Sequence, residues 1–307
     1  MNIISQLAQA LHKPEDLIED ILFTAPERYK IYFIPKRTHG YRLIAQPSRS
    51  LKECQRAFLG SFKLPIHSSA TAYREGLSIK ENALAHKNNS YLLKLDLENF
   101  FNSISPQIFW KVWEELKLER LEKSEQNLIE KLLFWKCNQE LVLSVGAPSS
   151  PAISNFCMYT FDSILLSHCE ALDITYTRYA DDLTFSTNIE NALFKIPSEV
   201  EKVLFNCFDG YLRINNSKTI FSSKAHNRHV TGITLTNNGD ISLGRGRKRY
   251  VKHKVHQFSL GKLDLYEIKH LQGLLAYAHH IEPEFYNSLI NKYSGELISK
   301  IFEASND

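Results

Sequence analysis

Long apolar runs are missing from this sequence of 307 residues. None approaches the roughly 18 residues of a membrane-spanning helix, and residues 1–12 lack both the basic start and the cleavage site of a signal peptide. The sequence therefore predicts a cytoplasmic protein without membrane contact. Internal repeats, low-complexity tracts and linkers rich in Pro, Gly or Ser are also missing, so separate domains are expected to pack closely.

Cysteine is scarce, and its spacing suggests no pairs. The five cysteines are odd in number and form no C-x-x-C motif, which excludes a disulfide framework and a zinc knuckle as the basis of the fold. They are expected to be ordinary buried thiols. Hydrophobic residues make up 43% of the chain and charged residues 23%, which is ordinary globular composition and excludes a mainly disordered chain.

Positive charge is concentrated in one region. The net charge is only +3, yet residues 218–270 contain 11 Lys and Arg against 3 Asp and Glu. Because each neutralised phosphate releases counterions, such a region favours a polyanionic partner. A solvated surface helix or loop is the alternative that charge alone leaves open. The densest part is a run of six cations within ten residues, namely Arg245, Arg247, Lys248, Arg249, Lys252 and Lys254.

Local patterns predict two hairpins, one further strand and several helices. Residues 29–35 and 41–46 flank a turn, and residues 174–179 and 183–186 flank a second turn that carries two acids. Residues 91–97 predict a strand with Leu93, Leu95 and Leu97 on one face and Lys94 and Asp96 on the other. Helices are predicted over residues 3–11, 14–23, 50–62, 106–113, 128–135, 268–277 and 285–301, with Ser105 as an N-cap and Pro106 in the first helical position.

Three acidic residues have a pattern that suggests metal chemistry. Asp181 and Asp182 are adjacent on a tight turn, where their charges repel unless a cation compensates. Asp96 lies on the polar face of an otherwise apolar strand, which is awkward without a partner. If the strand and the hairpin are neighbours in one sheet, the three carboxylates can hold two Mg²⁺ ions for nucleotidyl transfer. Taken alone, an Asp-Asp pair is more typical of a solvated turn.

Between these acids lies a segment suited to close backbone approach. Residues 145–154 (VGAPSSPAIS) combine a glycine with two prolines ahead of an apolar, helix-compatible stretch. The glycine lets the backbone come close to a flat ligand, and the prolines fix the entry into the helix. A purely structural turn would have a similar composition.

Together and in this order, the three segments resemble a known family. Residues 96–101 (DLENFF), 146–151 (GAPSSP) and 179–182 (YADD) are similar to palm motifs A, B and C of the reverse transcriptases. The resemblance implies an α+β right-hand polymerase with fingers, a palm with a short antiparallel sheet, and a helical thumb. The implied parts are 1–90 (N-terminal helices and fingers), 91–110 (palm), 111–142 (helical insertion), 143–236 (palm) and 237–307 (thumb with the basic stretch).

The same resemblance implies roles for individual residues. Asp96, Asp181 and Asp182 would be catalytic and hold the two Mg²⁺ ions, and Lys218, within NNSKT, would donate a proton to pyrophosphate. Val145 stands where the family often has glutamine, which puts fidelity in question. Binding of the incoming dNTP is implied for Lys36, Arg42, Phe101 (an aromatic gate under the sugar), Gly146, Ala147 and Pro148.

Two further motifs resemble the retron branch of the family. Residues 82–86 (NALAH) and 230–232 (VTG) are similar to the N-A-x-x-H and V-T-G regions of retron reverse transcriptases. This implies synthesis on a structured non-coding RNA, primed from an internal guanosine 2′-hydroxyl, to give a branched RNA–DNA hybrid (msDNA) that serves anti-phage defence with an effector protein. RNA contacts are implied for Asn82, His86, Val230, Thr231, Gly232 and the six cations of residues 245–254.

Two other kinds of protein share part of this pattern. A group II intron or diversity-generating reverse transcriptase is the alternative within enzymes, although some 89 residues after motif D leave no room for a maturase and an endonuclease region. A non-catalytic RNA-binding scaffold or antitoxin with the same fold is the alternative outside enzymes. Such a scaffold has no physical need for three converging acids, so the acids favour the enzyme.

Overall fold

The computed structural model describes residues 2–36 and 40–304, so the predicted turn residues 37–39 lie outside the described part. The chain forms two compact units. Unit 1 contains the residues up to Gly76 together with Leu93–Ile220, and unit 2 contains Leu77–Leu92 together with the chain from Phe221 onward. These units group an early segment with the C-terminal region. The predicted five-part division, with its boundary at residue 237, stays a prediction.

Short runs of helices and of strands follow one another along the described residues. None of these helices is both long and apolar enough to cross a membrane. The helices are α1 (Ile3–Leu11), α2 (Glu15–Phe23), α3 (Arg49–Ser61), α4 (Ile79–His86), α5 (Pro106–Glu115), α6 (Lys123–Leu133), α7 (Ser150–Cys157), α8 (Tyr159–Glu170), α9 (Ile196–Phe208), α10 (Arg245–Ser259), α11 (Leu265–Ile281), α12 (Pro283–Tyr293) and α13 (Gly295–Glu303). The strands are β1 (Tyr29–Pro35), β2 (Tyr41–Pro47), β3 (Tyr91–Asp96), β4 (Trp135–Cys137), β5 (Glu140–Val142), β6 (Thr175–Tyr179), β7 (Asp182–Thr187), β8 (Ile220–Ser223), β9 (Arg228–Val230), β10 (Ile233–Leu235) and β11 (Ile241–Ser242).

Both predicted hairpins are present. Strands β1 and β2 pair antiparallel from Tyr29 opposite Pro47, and β6 and β7 pair from Thr175 opposite Ser186. In unit 1, β7 lies between β6 and β3. The strand that ends with Asp96 and the hairpin that carries the two other acids are therefore neighbours in one sheet, as predicted. The leucines predicted for one face of β3 are buried, as expected for a strand inside a sheet covered by helices.

Two predicted helices need correction. Trp135 does not end a helix, because Phe134 takes an extended conformation and Trp135 begins β4, pairing with Val142. The predicted helix over residues 285–301 is broken at Ser294, whose φ is 76°. Its side-chain oxygen accepts a hydrogen bond from the Leu297 backbone N–H and so starts α13 as an N-cap.

Unit 2 has its own hydrophobic core. The three-stranded sheet β11–β10–β9 and the helices α4 and α10–α13 contribute buried side chains to one cluster. Helix α10 shows how this core orients the basic stretch: Val251 and Val255, one turn apart, are fully buried. The remaining faces of α10 therefore carry the cations.

The cysteines have the predicted character. Cys54, Cys157, Cys169 and Cys207 are buried, Cys137 is half-buried, and all five are free thiols. Burial raises the pKa of Cys169 to about 12 and that of Cys207 to about 11, so these thiols stay protonated at neutral pH.

Candidate active site

Asp96 ends strand β3 beside the acidic turn. The Leu97 backbone N–H donates to the Asp181 carbonyl oxygen at 2.9 Å, and the Asn215 N–H donates to the Asp96 carbonyl oxygen at 2.8 Å. These bonds join three segments that are far apart in sequence. The structure thus brings the three predicted acids to one edge of the unit 1 sheet.

The turn between β6 and β7 is tighter than predicted. Tyr179 pairs with Asp182, so the turn consists of Ala180 and Asp181, and Asp182 is the first residue of β7. Ala180 has φ of 57°, a left-handed value that costs a residue with a side chain roughly 1–3 kcal/mol. Such strain persists only where surrounding contacts hold it, and it is common at functional sites.

The acids at this edge disfavour each other's charge. Desolvation, together with the carboxylates of Asp181 and Asp96, raises the pKa of Asp182 to about 6. Desolvation and Asp96 also raise the pKa of Asp181, while Lys218 and Arg42 oppose that rise. Because Asp182 is exposed, water screens part of its repulsion. A bound cation would relieve this accumulation of negative charge.

Lys218 supplies one positive charge beside these acids. It ends a short 3₁₀ turn, Asn216–Lys218, and its Nζ lies 2.9 Å from both carboxylate oxygens of Asp96. The hydrogen bond to Asp96 raises the pKa of Lys218, which is therefore protonated. No group of three possible ligand side chains in the described part of the chain is arranged to hold a metal ion as it stands. The oxygen donors suit Mg²⁺, but binding at Asp96 requires Lys218 to move.

Asp182→Asn should raise the melting temperature of the metal-free protein at about pH 7.5 and leave it nearly unchanged at about pH 4. A carboxyl with a raised folded-state pKa keeps its proton longer when folded, so its stabilising effect is lost as pH rises from about 4 to about 6. At the lower pH, Asn imitates the neutral acid. We expect a shift of about 1–2 °C, since Asp182 is exposed and screened.

Thermal melts in EDTA at the two pH values measure this effect. Glu190→Gln changes an exposed acid in another turn of unit 1 and serves as the control. An equal rise at both pH values would contradict the explanation by charge repulsion.

The glycine-containing loop packs against the first hairpin. The Ala45 N–H donates to the Val145 carbonyl oxygen at 3.2 Å, and Ser144 Oγ donates to the Ala45 carbonyl oxygen at 2.6 Å. Gly146 has φ of 133°, and a Cβ there would lie 3.0 Å from the Ala45 carbonyl oxygen. Gly146 is thus needed for contact with β2, a structural reason that the sequence did not reveal. Of the three residues of this loop predicted to bind the dNTP, Gly146 is exposed, Pro148 is half-buried and Ala147 is buried.

The other residues predicted to bind the nucleotide differ in setting. Arg42, exposed on β2, is close enough to Asp181 to lower the pKa of that carboxyl, which opposes the effect of burial. Lys36 is exposed at the end of β1, where its N–H donates to the Gly40 carbonyl oxygen. Phe101 is half-buried and packs edge-on against the buried Phe100, with ring centroids 5.3 Å apart.

Sequence reasoning missed a tyrosine and a buried polar network next to the turn. Tyr73 has φ of 58° and is 50% exposed, and the Asp181 carboxylate helps to raise its pKa, after desolvation. Nothing in the local pattern singled it out. Arg178, one residue before Tyr179, is fully buried and pairs with Asp162. Its signal was a lone arginine inside an apolar, β-branched strand, a residue that needs a partner when buried.

In unit 2, three of the residues predicted to contact RNA are not on the surface. Asn82, His86 and Val230 have fully buried side chains, so the prediction of direct RNA contact is corrected for them. Burial lowers the pKa of His86 to about 3, so its ring is neutral and offers no charge to a phosphate. These residues belong to the interior of unit 2 and can act on RNA only through the surface that they support.

The turn at Thr231 and Gly232 is accessible and attached to the basic helix. Both residues have left-handed φ, 46° and 80°, and Gly232 is exposed. Arg247 Nη1 donates to the Gly232 carbonyl oxygen at 3.3 Å and its guanidinium stacks on Tyr277. Helix α10 and this turn therefore form one continuous surface, which borders an open cavity of about 1210 Å³.

The six predicted cations are not equivalent. Lys248 pairs with Glu282 at 2.8 Å and Lys254 pairs with Glu267 at 2.7 Å, so each is partly neutralised within unit 2. For Glu282, burial would raise its pKa, but hydrogen bonds from Lys248, Leu243 and Ser242 lower it overall. The exposed cations that remain are Arg245, Arg247, Arg249 and Lys252.

Sequence comparisons with known proteins point to one family. A family model described as reverse transcriptase (RNA-dependent DNA polymerase) matches residues 34–235. Retron Ec83 reverse transcriptase from Escherichia coli is 48% identical over 279 residues, covering 89% of each chain. Retron Ec73 reverse transcriptase from the same organism is 32% identical over 290 residues, again covering 89% of each. A solved telomerase from Candida albicans, in complex with a fragment of telomeric RNA, aligns with a TM-score of 0.48 at 13% identity, covering 90% of this chain and 59% of that one.

Proposed function

This chain belongs to the retron reverse transcriptases, and we propose that it copies part of a structured non-coding RNA into a branched RNA–DNA hybrid, primed from an internal guanosine 2′-hydroxyl. Family membership makes it an RNA-directed DNA polymerase with the α+β right-hand fold that the sequence predicted. The observation that carries the catalytic part is the convergence of Asp96 with Asp181 and Asp182. A group II intron or diversity-generating enzyme is disfavoured by the retron relatives, and a scaffold by the three acids.

We propose Asp96, Asp181 and Asp182 as ligands of two Mg²⁺ ions. The family uses divalent metals, and the oxygen donors and the raised carboxyl pKa values support a cation here. When bound, such ions activate the primer hydroxyl and neutralise charge on the leaving pyrophosphate. Lys218, protonated and held beside Asp96, is the proposed proton donor to pyrophosphate once released from that carboxylate. Arg42 and Lys36 are proposed to hold the triphosphate.

Phe101→Ala should increase incorporation of ribonucleotides relative to deoxynucleotides by about tenfold. We propose that the Phe101 ring blocks the space that a 2′-hydroxyl would occupy, and its position against Phe100 fixes the ring. Competing rNTP and dNTP on one primed RNA template give the ratio. Phe62→Ala, which alters a half-exposed ring stacked on Phe58 elsewhere in unit 1, is the control. An unchanged ratio in Phe101→Ala would remove it from this role.

RNA binding is proposed for the surface made by α10 and the turn at Thr231 and Gly232. Exposed arginines and Lys252 can neutralise phosphates of any sequence. A structured RNA is distinguished by its shape, its 2′-hydroxyls and its unpaired loops. The uncharged turn, rigid through its bond to Arg247, is proposed to contribute that selection.

Further partners are proposed from the retron relatives. We propose that the DNA product stays bound and that an effector protein acts with the complex in anti-phage defence, in the cytoplasm. Deoxynucleoside triphosphates are the small-molecule substrates of the polymerase.

The test is to isolate the protein with its bound nucleic acid and sequence both strands. We expect a DNA joined to RNA through a 2′–5′ bond that survives denaturation, and dideoxynucleotide-sensitive DNA synthesis on added RNA. Synthesis without any branched species would refute the retron-specific part and leave the polymerase. No synthesis on any RNA would refute catalysis and favour the scaffold.

A further inference from the structure

A fully buried arginine lies directly beneath the acidic turn. Arg178 Nε and Nη2 donate to the two carboxylate oxygens of Asp162 on α8, at 2.9 and 2.6 Å. Asp162 also accepts a hydrogen bond from the Tyr176 hydroxyl at 2.8 Å. This forked contact fixes the plane of the guanidinium and leaves Nη1 directed at other acceptors.

Nη1 uses its remaining capacity for the turn and for α7. It donates to the Ala180 carbonyl oxygen at 3.2 Å and to Asn155 Oδ1 at 3.1 Å. Lysine could not replace this arrangement, because one ammonium cannot make the bidentate contact and keep a planar geometry toward two more acceptors. Ala180 is the residue with left-handed φ, so the network holds the strained residue of the turn.

The same network holds a second segment that borders the acids. Asn155 Nδ2 donates to the Ala72 carbonyl oxygen at 2.9 Å, and the Arg178 backbone exchanges hydrogen bonds with Ser69 and Thr71 at 2.8 Å each. Ala72 immediately precedes Tyr73, which also has a left-handed φ. Tyr73 is half exposed, near Asp181 and Arg42. One buried group thus holds two strained positions close to Asp181.

Stability alone does not account for such a network. A buried ion pair is often no more stabilising than well-packed apolar residues of the same volume, because both charges must be desolvated. Its value here lies in directional bonds to two backbone carbonyls, at Ala180 and, through Asn155, at Ala72. Apolar side chains could fill the space but could not specify those positions.

We propose that Arg178, Asp162 and Asn155 are positioning residues that keep the acidic turn and Tyr73 in a fixed relation, and that Tyr73 contacts the nucleotide bound there. The aromatic ring offers a face or edge to the base or sugar of the incoming dNTP, and Arg42 nearby is one of the charges proposed to hold its phosphates. The inference rests on RNA-directed DNA polymerisation and is independent of retron-specific priming.

The test measures kcat and KM for dNTP on an ordinary RNA template with an annealed DNA primer. Tyr73→Ala should raise KM about tenfold with little change in kcat, and Tyr73→Phe should restore the wild-type value. Asn155→Ala should raise KM by a similar factor. The double variant Asn155→Ala/Tyr73→Ala should be no worse than either single one, since both changes remove the same positioned contact.

Tyr176→Phe is the matched control. It removes one hydrogen bond to Asp162 but none to Ala180 or Ala72, so it should lower the melting temperature without changing KM. If Asn155→Ala fails to fold, Thr71→Val, which removes only the bond from Thr71 Oγ1 to the Arg178 carbonyl oxygen, takes its place. Additive effects in the double variant, or unchanged KM in Tyr73→Ala, overturn the inference. If the wild-type protein extends the annealed primer normally but makes no branched product, that result counts against the proposed retron function alone.

Discussion

Asp181→Asn and Asp96→Asn should each reduce nucleotide incorporation by about 10³-fold or more. Removing a ligand from a metal-dependent transfer site displaces a cation, which costs more than a weakened contact. Both positions lie at the edge of the sheet, so amides can replace the carboxylates without a cavity. Extension of a labelled primer on RNA measures the loss.

Glu98→Gln is the matched control for these variants. Glu98 is an exposed acid two residues after Asp96, and its contact with Arg213 is made by its backbone N–H. It should keep full activity. Melting curves and RNA binding should be close to wild type in all three proteins. Full activity in either aspartate variant would refute the assignment of these residues as catalytic ligands.

Changes in the turn and changes in the basic helix should affect different measurements, namely the yield of branched product and the general affinity for RNA. Gly232→Ala should lower branched product from the cognate RNA about tenfold, because alanine at φ of 80° distorts the turn, and should leave extension of an annealed primer nearly unchanged. Arg245→Gln, Arg249→Gln and Lys252→Gln together should weaken all RNAs alike and flatten the dependence of log affinity on log salt by about 2. Binding isotherms at several salt concentrations and both primed reactions measure these effects.

The choice of cations follows from the ion pairs. Lys248 is omitted because it pairs with Glu282, so its loss would change stability as well as RNA affinity. Lys300→Gln, a cation on α13 paired with Glu296, is the control and should keep the wild-type salt dependence. Equal loss of both primed reactions in Gly232→Ala would leave the turn with no part in selecting the cognate RNA.

Local pattern was sufficient for most elements and for the acids. The bounds of α1, both hairpins and the start of α5 at Pro106 follow from periodicity, turn residues and capping. The convergence of Asp96 with Asp181 required one more step, the pairing of β3 beside β7, which the order of the motifs supported. The helices and hairpins, though not this pairing, are features that neighbouring residues determine.

Features that depend on tertiary contacts were not accessible from the sequence. The burial of Asn82 and His86 is set by a core whose members, apart from Ala83, Leu92 and the adjoining Ile79, lie more than a hundred residues away. The close approach of Gly146 to Ala45 is of the same kind. The position of Tyr73 near the acids depends on Asn155 and Arg178, which hold the residues before it by hydrogen bonds. A short motif reports which residue types recur, and it does not report which of them face solvent.

Unit 2 cannot complete its core during synthesis until nearly the whole chain has left the ribosome. Helix α4 contributes Ala83 to a cluster whose other members, apart from Leu92, come from residue 230 onward. At ordinary elongation rates α4 is made roughly 10–30 s before those partners. During that interval Ala83 and Leu92 are without their final neighbours, so the burial of this early segment waits for the C-terminal helices.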